Sequence, residues 1–215
     1  MRSVDDLVAT RNELTDGPFG SNLKTEHYRD SGPRVIRLQN IGDGEFFDDE
    51  AHISAAHFAR LRKHEAVAGD IVVAMLGSDL PRACLVPRSI GPAIVKADCV
   101  RLRPDTRLVD RRYAVAGFNS PTVRHQAEAL VHGVGRPRLG LKWFRGLRFP
   151  LAPVLEQARI MEAVDSQLSR LDAAVASLET AQTKLKAFRT SVLKARPPPP
   201  AAISWSDATA RATAT

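Results

Sequence analysis

The chain has 215 residues, of which 44% are hydrophobic, enough for one sizeable core and an appendage. Its 31 Lys and Arg residues against 24 Asp and Glu give a net charge of +7, which favours an anionic partner such as nucleic acid, although moderate basicity is common among enzymes too. The N-terminus lacks the basic-then-apolar run of a signal peptide, and the chain has no long uncharged apolar stretch, so a soluble cytoplasmic protein without a membrane partner is expected.

The first elements are predicted from the spacing of apolar residues. Apolar and polar residues alternate over residues 34–41, which predicts a strand that ends near Gly42. The run 54–64 begins with Ser54, a residue suited to a helix N-cap, and carries apolar residues at helical spacing, which predicts a short helix.

Further strands and helices are expected in the middle of the chain. A Gly69-Asp70 turn precedes a run of β-branched residues, which predicts a buried strand, and two more strands are predicted in 83–89 and 93–104. Residues 109–129 carry short helical patterns that break around Ser120-Pro121.

A loop rich in glycine and arginine occupies residues 132–140, and residues 144–153 after it predict a last strand that runs into a turn. Residues 1–153 are therefore predicted to form one mixed α/β domain of the α+β class.

From Val154 the sequence predicts one long helix, and residues 154–196 are assigned to it. Apolar residues recur on a heptad at Met161, Val164, Leu168, Leu171, Val175, Leu178, Leu185 and Val192. A helix over 156–194 would be about 58 Å long at ~1.5 Å per residue, too long to bury its stripe on a small domain alone. It therefore needs a partner helix, or else it folds back on its own domain.

The proline run Pro197–Pro200 cannot continue a helix, so the helix is expected to stop at Arg196. Residues 197–215, Pro-rich and then Ala/Thr-rich, are predicted to be a disordered tail.

The two cysteines do not indicate a metal or disulfide framework. Cys84 and Cys99 lie 15 positions apart without a CxxC motif or a matched His spacing, so they cannot supply a four-ligand zinc site. Buried free thiols in a reducing compartment are expected.

No motif points to catalysis. The glycine-arginine loop is not a Walker phosphate loop, and Asn119-Ser-Pro-Thr122 lacks the second proline and the aromatic residue of the adenine-methyltransferase signature. The six histidines form no ligand pair, and the acidic residues of 43–50 are read as a solvated turn rather than a metal site. The chain is therefore predicted not to be an enzyme and to hold no metal.

Basic and polar residues favour a double-stranded DNA partner. No acidic residue occurs from Leu130 to Val154, whereas five basic residues crowd that stretch. Arginines form a second group in 101–112, and polar residues suited to base-edge contacts lie at or beside predicted turns. The alternative is that each is a surface or turn-stabilising residue, as for Asn40 at a strand end.

Four segments together resemble the specificity (S) subunit of type I restriction–modification systems. They are DGPFGSNLKTEHYRDSGPRVIRLQNIGDGEF, AGDIVVAMLG, RACLVPRSIGPAIVKADCVRLRP and RFPLAPVLEQARIMEAVDSQLSRLDA. The resemblance runs over residues 16–196, and its most specific part is the hinge with Glu156, Gln157 and Ile160.

The resemblance implies a target recognition domain that reads one half of a bipartite DNA target without catalysing a reaction. Modification (M) subunits would methylate adenine with S-adenosylmethionine, and restriction (R) subunits would use ATP and Mg, so those cofactors would belong to partners and this chain would bind none. Family members carry two recognition domains separated by two antiparallel helices.

The chain departs from that plan in three places. It has one recognition domain and one helix, its leader before Pro18 has a helical look where a first strand is customary, and the usual continuation after Arg196 is missing. A half-size subunit that forms a homodimer is one interpretation, since pseudo-symmetry would become true twofold symmetry. The alternatives are a truncated remnant and a coiled-coil adaptor without DNA specificity of its own.

The resulting hypothesis places the domain in the major groove of DNA. Arg136, Arg138 and Lys142 are the first-choice contacts, and Asn22, Lys24, Arg37 and Gln39 the second. The long helix would form an antiparallel coiled coil with its copy through Leu168, Leu171, Val175, Leu178 and Leu185, which predicts a gapped, palindromic target.

Overall fold

The computed structural model describes residues 1–133 and 135–194. The chain divides into two compact units, Met1–Val164 and Asp165–Thr215. The predicted tail 197–215 and the predicted helix stop at Arg196 lie outside the described residues.

The described residues form ten strands and five α-helices. The strands are β1 (Arg2–Ser3), β2 (Leu14–Asp16), β3 (Tyr28–Ile36), β4 (His52–Ile53), β5 (Glu65–Ala66), β6 (Ile71–Ala74), β7 (Arg82–Leu85), β8 (Ala93–Val95), β9 (Cys99–Leu102) and β10 (Arg148–Phe149). The helices are α1 (Ala55–Arg60), α2 (Arg111–Phe118), α3 (Pro121–Glu128), α4 (Leu141–Gly146) and α5 (Val154–Lys194).

Two four-stranded sheets stack in the first unit. One has the order β2-β9-β6-β7 and is antiparallel throughout, and the other has the order β4-β3-β8-β5 with β3 and β8 parallel. The alternation along β6 explains the stacking: Ile71 and Val73 face a core shared with the helices, whereas Val72 and Ala74 face the second sheet.

Helices α2, α3 and α4 cover the outer face of the first sheet. Phe118, Phe144 and Phe149 are fully buried there, with the Phe118 ring centroid 5.1 Å from that of Phe149. On the far side, Phe58 of α1 and Leu61 after it pack against the second sheet. The fold is therefore mixed α/β, as the sequence predicted, with a long C-terminal helix.

The start of α5 is anchored in the first unit by Gln157, which is fully buried. Its amide Nε2 donates to the carbonyls of Leu108 (2.9 Å) and Ala152 (2.7 Å), and its Oε1 accepts from the backbone N–H of Asp110 (2.7 Å). Ile160 and Met161 pack on the same core. Gln157 and Ile160 of the sequence motif are thus explained by the need to join the helix to the domain.

Most predicted elements are confirmed. The strands expected after Gly69, in 83–89 and in 93–104 are β6 to β9, and the helical patterns of 109–129 are α2 and α3. Ser54 caps α1 by accepting a hydrogen bond from the backbone N–H of His57 (3.2 Å). The domain boundary predicted at residue 153 stays a prediction.

Three predicted details are wrong. The strand expected over 34–41 ends at Ile36, because Leu38–Asn40 form a 3-10 turn closed by the Asn40 side chain. A strand does precede Pro18: Leu14–Asp16 pair with β9 although the leader looked helical. Within 144–153, residues up to Gly146 belong to α4, and only Arg148–Phe149 form a strand.

Both cysteines are free and buried, as expected. Burial raises the pKa of the Cys84 thiol to about 12 and raises the pKa of Cys99 as well, so both stay protonated at neutral pH. Within the described part of the chain, none of the helices combines the length and the apolar character that crossing a membrane requires.

Candidate nucleic-acid interface

The glycine-arginine loop folds back on itself as a short hairpin. The backbone N–H of Arg138 donates to the carbonyl of His132 (2.9 Å), and that of His132 donates to the carbonyl of Arg138 (3.1 Å). Gly133 has φ +110°, a value that side-chain-bearing residues rarely adopt, and a Cβ there would lie 2.9 Å from the carbonyl oxygen of Arg136. The glycine is therefore needed to close the hairpin that presents the arginines.

The hairpin is tied to the first sheet on both sides of Arg138. The backbone N–H of Gly77 donates to the carbonyl of Pro137 (3.0 Å), and that of Leu139 donates to the carbonyl of Met75 (2.9 Å). These bonds fix the main chain around Arg138, so its side chain starts from a rigid base.

The guanidinium of Arg138 is held from two directions. Its Nη2 lies 2.8 Å from Oδ1 of Asp98, and its Cζ lies 5.1 Å from the centroid of the Phe19 ring. Phe19 is 42% exposed, so its ring is accessible from solvent beside the guanidinium. Stacking on the ring and pairing with the carboxylate together restrict the arginine to few conformations.

The turn that carries Phe19 packs on the connection between β8 and β9. The backbone N–H of Gly17 donates to the carbonyl of Cys99 (3.1 Å), and a Cβ at Gly17 would lie only 2.1 Å from the Lys96 carbonyl carbon. Asn22 closes the turn through a bond from Nδ2 to the Phe19 carbonyl (3.1 Å). The predicted contact residues Asn22 and Arg138 are thereby brought to one neighbourhood around Phe19.

Sequence reasoning missed Phe19, Asp98 and Lys96 in this neighbourhood. Lys96 directly follows β8, and its ammonium lies 5.4 Å from the Tyr28 ring centroid. The sequence could have indicated Lys96 in part, because this lysine interrupts the apolar pattern of a predicted strand. The pairing of Phe19 with Arg138 carries no local signal, because 118 residues separate them in the chain.

Arg37 and Gln39 lie at the same sheet edge as Lys96, because the parallel strands β3 and β8 end side by side. Both are engaged by Asp49: Arg37 Nη2 lies 3.0 Å and Gln39 Nε2 2.9 Å from Oδ2 of that residue. The charge of Arg37 is therefore partly neutralised in the free protein, and one amide hydrogen of Gln39 is already bonded.

The acidic stretch 43–50 serves as a set of ion-pair partners. Asp48 and Glu50 hold the nearly buried Arg34 at 2.6 and 3.1 Å, and Asp43 lies 2.9 Å from Arg124. Among the residues that the structure describes, no group of three or more His, Cys, Asp or Glu side chains is placed to hold a metal ion.

The remaining predicted contacts lie apart from this neighbourhood or project freely. Lys142 lies on α4, with its ammonium 5.8 Å from the Trp143 ring centroid, and lines a cavity with Asp5 and Arg11. Lys24 is exposed, 3.8 Å from Glu26. Arg136 is exposed as well, and no carboxylate of the described ranges pairs with it.

The second basic group and Asn119 have structural partners. Arg101 lies 3.1 Å from Glu13, Arg103 2.8 Å from Asp70, and Arg107 2.7 Å from Asp105. The Asn119 side chain pairs with both the N–H and the carbonyl of Ala83 at 2.8 Å, so it secures β7 at the junction of two helices. This explains Asn119 without a methyltransferase role.

The second unit presents an apolar stripe along α5. The five seam residues of the sequence prediction are all exposed in the single chain, with Leu178 at 70%. Exposed Phe188 and Leu193 extend the apolar surface beyond the heptad. An exposed stripe of this length on an isolated helix indicates a partner helix.

Over most of its length the chain has the fold seen in specificity subunits of type I restriction–modification systems. The HsdS subunit from Thermoanaerobacter tengcongensis matches with a TM-score of 0.67 and 15% identity over 94% of this chain and 50% of that chain. The S subunit of the type I system from M. genitalium matches with a TM-score of 0.50 and 16% identity over 85% and 42%.

A third match comes from a structure that describes complex assembly and conformational transition of the type I R-M system, with a TM-score of 0.62 and 15% identity over 89% of this chain and 44% of that one. The chain thus spans about half the length of the chains it matches. No family model matches the sequence, and no curated protein matches it either. At these identities the likeness establishes the fold.

Proposed function

We propose that the chain is a cytoplasmic, DNA-binding specificity subunit of a type I restriction–modification complex. It reads one half of a bipartite target and positions M and R subunits, while the catalysis and its S-adenosylmethionine, ATP and Mg belong to those partners. The observation that carries the proposal is the fold shared with HsdS over 94% of this chain.

The two loop arginines have different roles in this proposal. Arg138 is already paired with Asp98, so a DNA phosphate approaching it would meet a carboxylate as well as a guanidinium. Its remaining N–H groups suit the acceptor edge of guanine, which arginine contacts in a bidentate manner. Arg136 is exposed and has no acidic partner among the described residues, which suits a phosphate contact.

The second-choice contacts are ranked by the hydrogen bonds and ion pairs that each must break before it can contact DNA. Asn22 keeps its Oδ1 and one amide hydrogen after bonding Phe19, so it retains the groups that read adenine. Lys24 is only loosely paired with Glu26. Arg37 and Gln39 must first leave Asp49, and they would contact DNA only after that loop moves.

The long helix would pair antiparallel with a second copy of the chain through Leu168, Leu171, Val175, Leu178 and Leu185. Helix α5 has 41 residues and is roughly 61 Å long at ~1.5 Å per residue, which exceeds one duplex turn of ~34 Å. Two recognition domains joined this way would read half-sites separated by a fixed gap.

Selection from a pool of random duplexes tests the proposal. The full chain, purified together with the M subunit of its own system, is expected to enrich one two-part motif. The chain carrying Arg138→Ala is the control and should lose preference at one position per half-site. Enrichment of no motif by the unaltered complex contradicts the proposal.

A further inference from the structure

A second basic surface lies on the first unit, away from the Arg138 hairpin. Two adjoining cavities of about 430 and 580 Å³ share Arg11, Leu141 and Arg145 as walls and so form one open groove. The groove is bounded by β2 with the turn before it, by the end of β9 and by α4. We call it the basic groove.

The charge of the basic groove is strongly unbalanced. Its walls hold six basic side chains against the two carboxylates Asp5 and Glu13, and the buried Asp70 pairs with Arg103, which leaves a difference of +3. The six are Arg11, Lys63, Arg101, Arg103, Lys142 and Arg145. Such an excess around an open cavity raises the local concentration of anions.

The floor of the groove is built rather than loosely formed. Arg101 is 5% exposed, and it is held by the carbonyl of Asn12 (3.1 Å) and the carboxylate of Glu13 (3.1 Å). The same Glu13 carboxylate lies 3.2 Å from Nη1 of Arg103, whose Nε (2.8 Å) and Nη2 (3.0 Å) also donate to the buried Asp70 carboxylate. Burial, followed by the neighbouring charge of Arg103, lowers the pKa of Arg101, whereas Asp70 and Glu13 act in the opposite direction.

The rim of the groove holds cations that fold stability does not need. Arg11, Lys63 and Lys142 are exposed, and within the described ranges none of them is paired with a carboxylate. Arg145 lines the wall in a fixed position, bound to Asp5 and to the carbonyl of Leu14. A fixed floor with exposed cations around it suits a charged chain that lies along the groove.

We infer that the basic groove binds the sugar–phosphate backbone of duplex DNA, as a contact separate from the Arg138 hairpin. This inference rests on the proposed function. Asp98, the partner of Arg138, and Arg103, in the groove wall, lie at opposite ends of β9, five residue steps apart. At ~3.3 Å per residue the separation is roughly 16 Å, of the order of the ~12 Å width of the major groove.

An acidic protein segment is the other class of ligand that such a groove could take. The duplex is favoured because the groove belongs to the same compact unit as the hairpin, which is the proposed DNA contact, and because its walls carry an excess of cations.

The test compares two double variants that remove the same charge. Arg11→Gln with Lys63→Gln changes the groove rim, whereas Arg60→Gln with Arg88→Gln removes two exposed cations that do not line it. Binding of the full chain to a fluorescent duplex of arbitrary sequence is measured by anisotropy from low to moderate salt. Circular dichroism and thermal unfolding check that both variants fold.

The rim variant is expected to bind more weakly and to show a salt slope shallower by up to about 2, because each lost phosphate contact removes about 0.9 from the slope. The control variant should keep the slope of the unaltered chain. Equal changes in both variants, or none in either, overturn the inference. One further result also overturns it. If inorganic phosphate raises the Tm of the unaltered chain but not of the rim variant, and both bind the duplex equally well, the groove binds a free anion instead.

The outcome is separable from the proposed function, because the duplex has no chosen sequence and no M subunit is present. Sequence selection by the complex with an intact slope in the rim variant overturns the groove alone. If the complex with the M subunit selects no sequence but the rim variant has a shallower salt slope than the unaltered chain, the proposed function alone is overturned.

Discussion

Replacing Gln157 is the sharpest test of how the long helix is joined to the domain. The substitution Gln157→Ala removes a fully buried amide and leaves the carbonyls of Leu108 and Ala152 and the N–H of Asp110 without their partner. Three buried main-chain groups at about 1–1.5 kcal/mol each predict a loss of about 3–4 kcal/mol in the free energy of unfolding. That is a large part of the 5–15 kcal/mol that a typical domain has.

The assay is urea unfolding followed by far-UV circular dichroism, with thermal unfolding as a second measure. A domain of this size should lose about 2–4 °C in Tm for each kcal/mol, hence roughly 6–16 °C for Gln157→Ala. The neighbouring substitution Glu156→Ala is the matched control. Glu156 is exposed, and its one ion pair, with Arg159 at 3.6 Å, lies on the surface, so the free energy of unfolding should change by less than about 1 kcal/mol. Equal stability of the two variants would show that the hydrogen bonds of Gln157 do not stabilise the junction of helix and domain.

Three further predictions follow from the structure. Arg136→Ala should make the salt slope of DNA binding shallower by about one, whereas Arg138→Ala should leave the slope nearly unchanged and relax preference at one base pair; identical effects on slope and preference in the two variants would contradict the assigned roles. Leu171→Lys with Leu178→Lys should give monomers by sedimentation because charge enters the apolar stripe, whereas Ala173→Lys with Thr180→Lys, which adds the same charge away from the stripe, should stay dimeric; dimers in both would place the seam elsewhere. Gly17→Ala should lower stability by at least about 1–3 kcal/mol because its Cβ would lie 2.1 Å from main-chain atoms of Lys96, whereas Gly146→Ala, which meets nothing within 4 Å, should unfold like the unaltered chain.

Local patterns predicted the elements that depend on local signals. The β-branched run 71–74 was correctly predicted as a buried strand, and the heptad pattern correctly predicted the long helix α5, whereas the seam of that helix stays a prediction. The strand Leu14–Asp16 was missed because three residues carry no period of their own, and its strand state comes from pairing with β9. Tertiary pairing overrode the helical look of the leader.

The candidate site was predictable only in part. The glycines of the loop and the cluster of arginines are visible in the sequence, but the partner of each arginine is set by the fold. Arg37 pairs with Asp49, which lies 12 positions further along the chain, whereas 118 residues lie between Phe19 and Arg138. Separating a base-reading arginine from a phosphate-binding one depends on those partners, so the distinction required the structure.

Mapping of methylated adenines tests whether the chain selects a bipartite DNA target for its M subunit. The chain and the M subunit of its system are produced together in cells that otherwise lack adenine methylation, and genomic DNA is sequenced with single-molecule detection of the modified base. We expect one palindromic motif with two half-sites at a fixed gap, and a relaxed motif with Arg138→Ala. Methylation that is absent, or that is unrelated to any shared sequence, contradicts it.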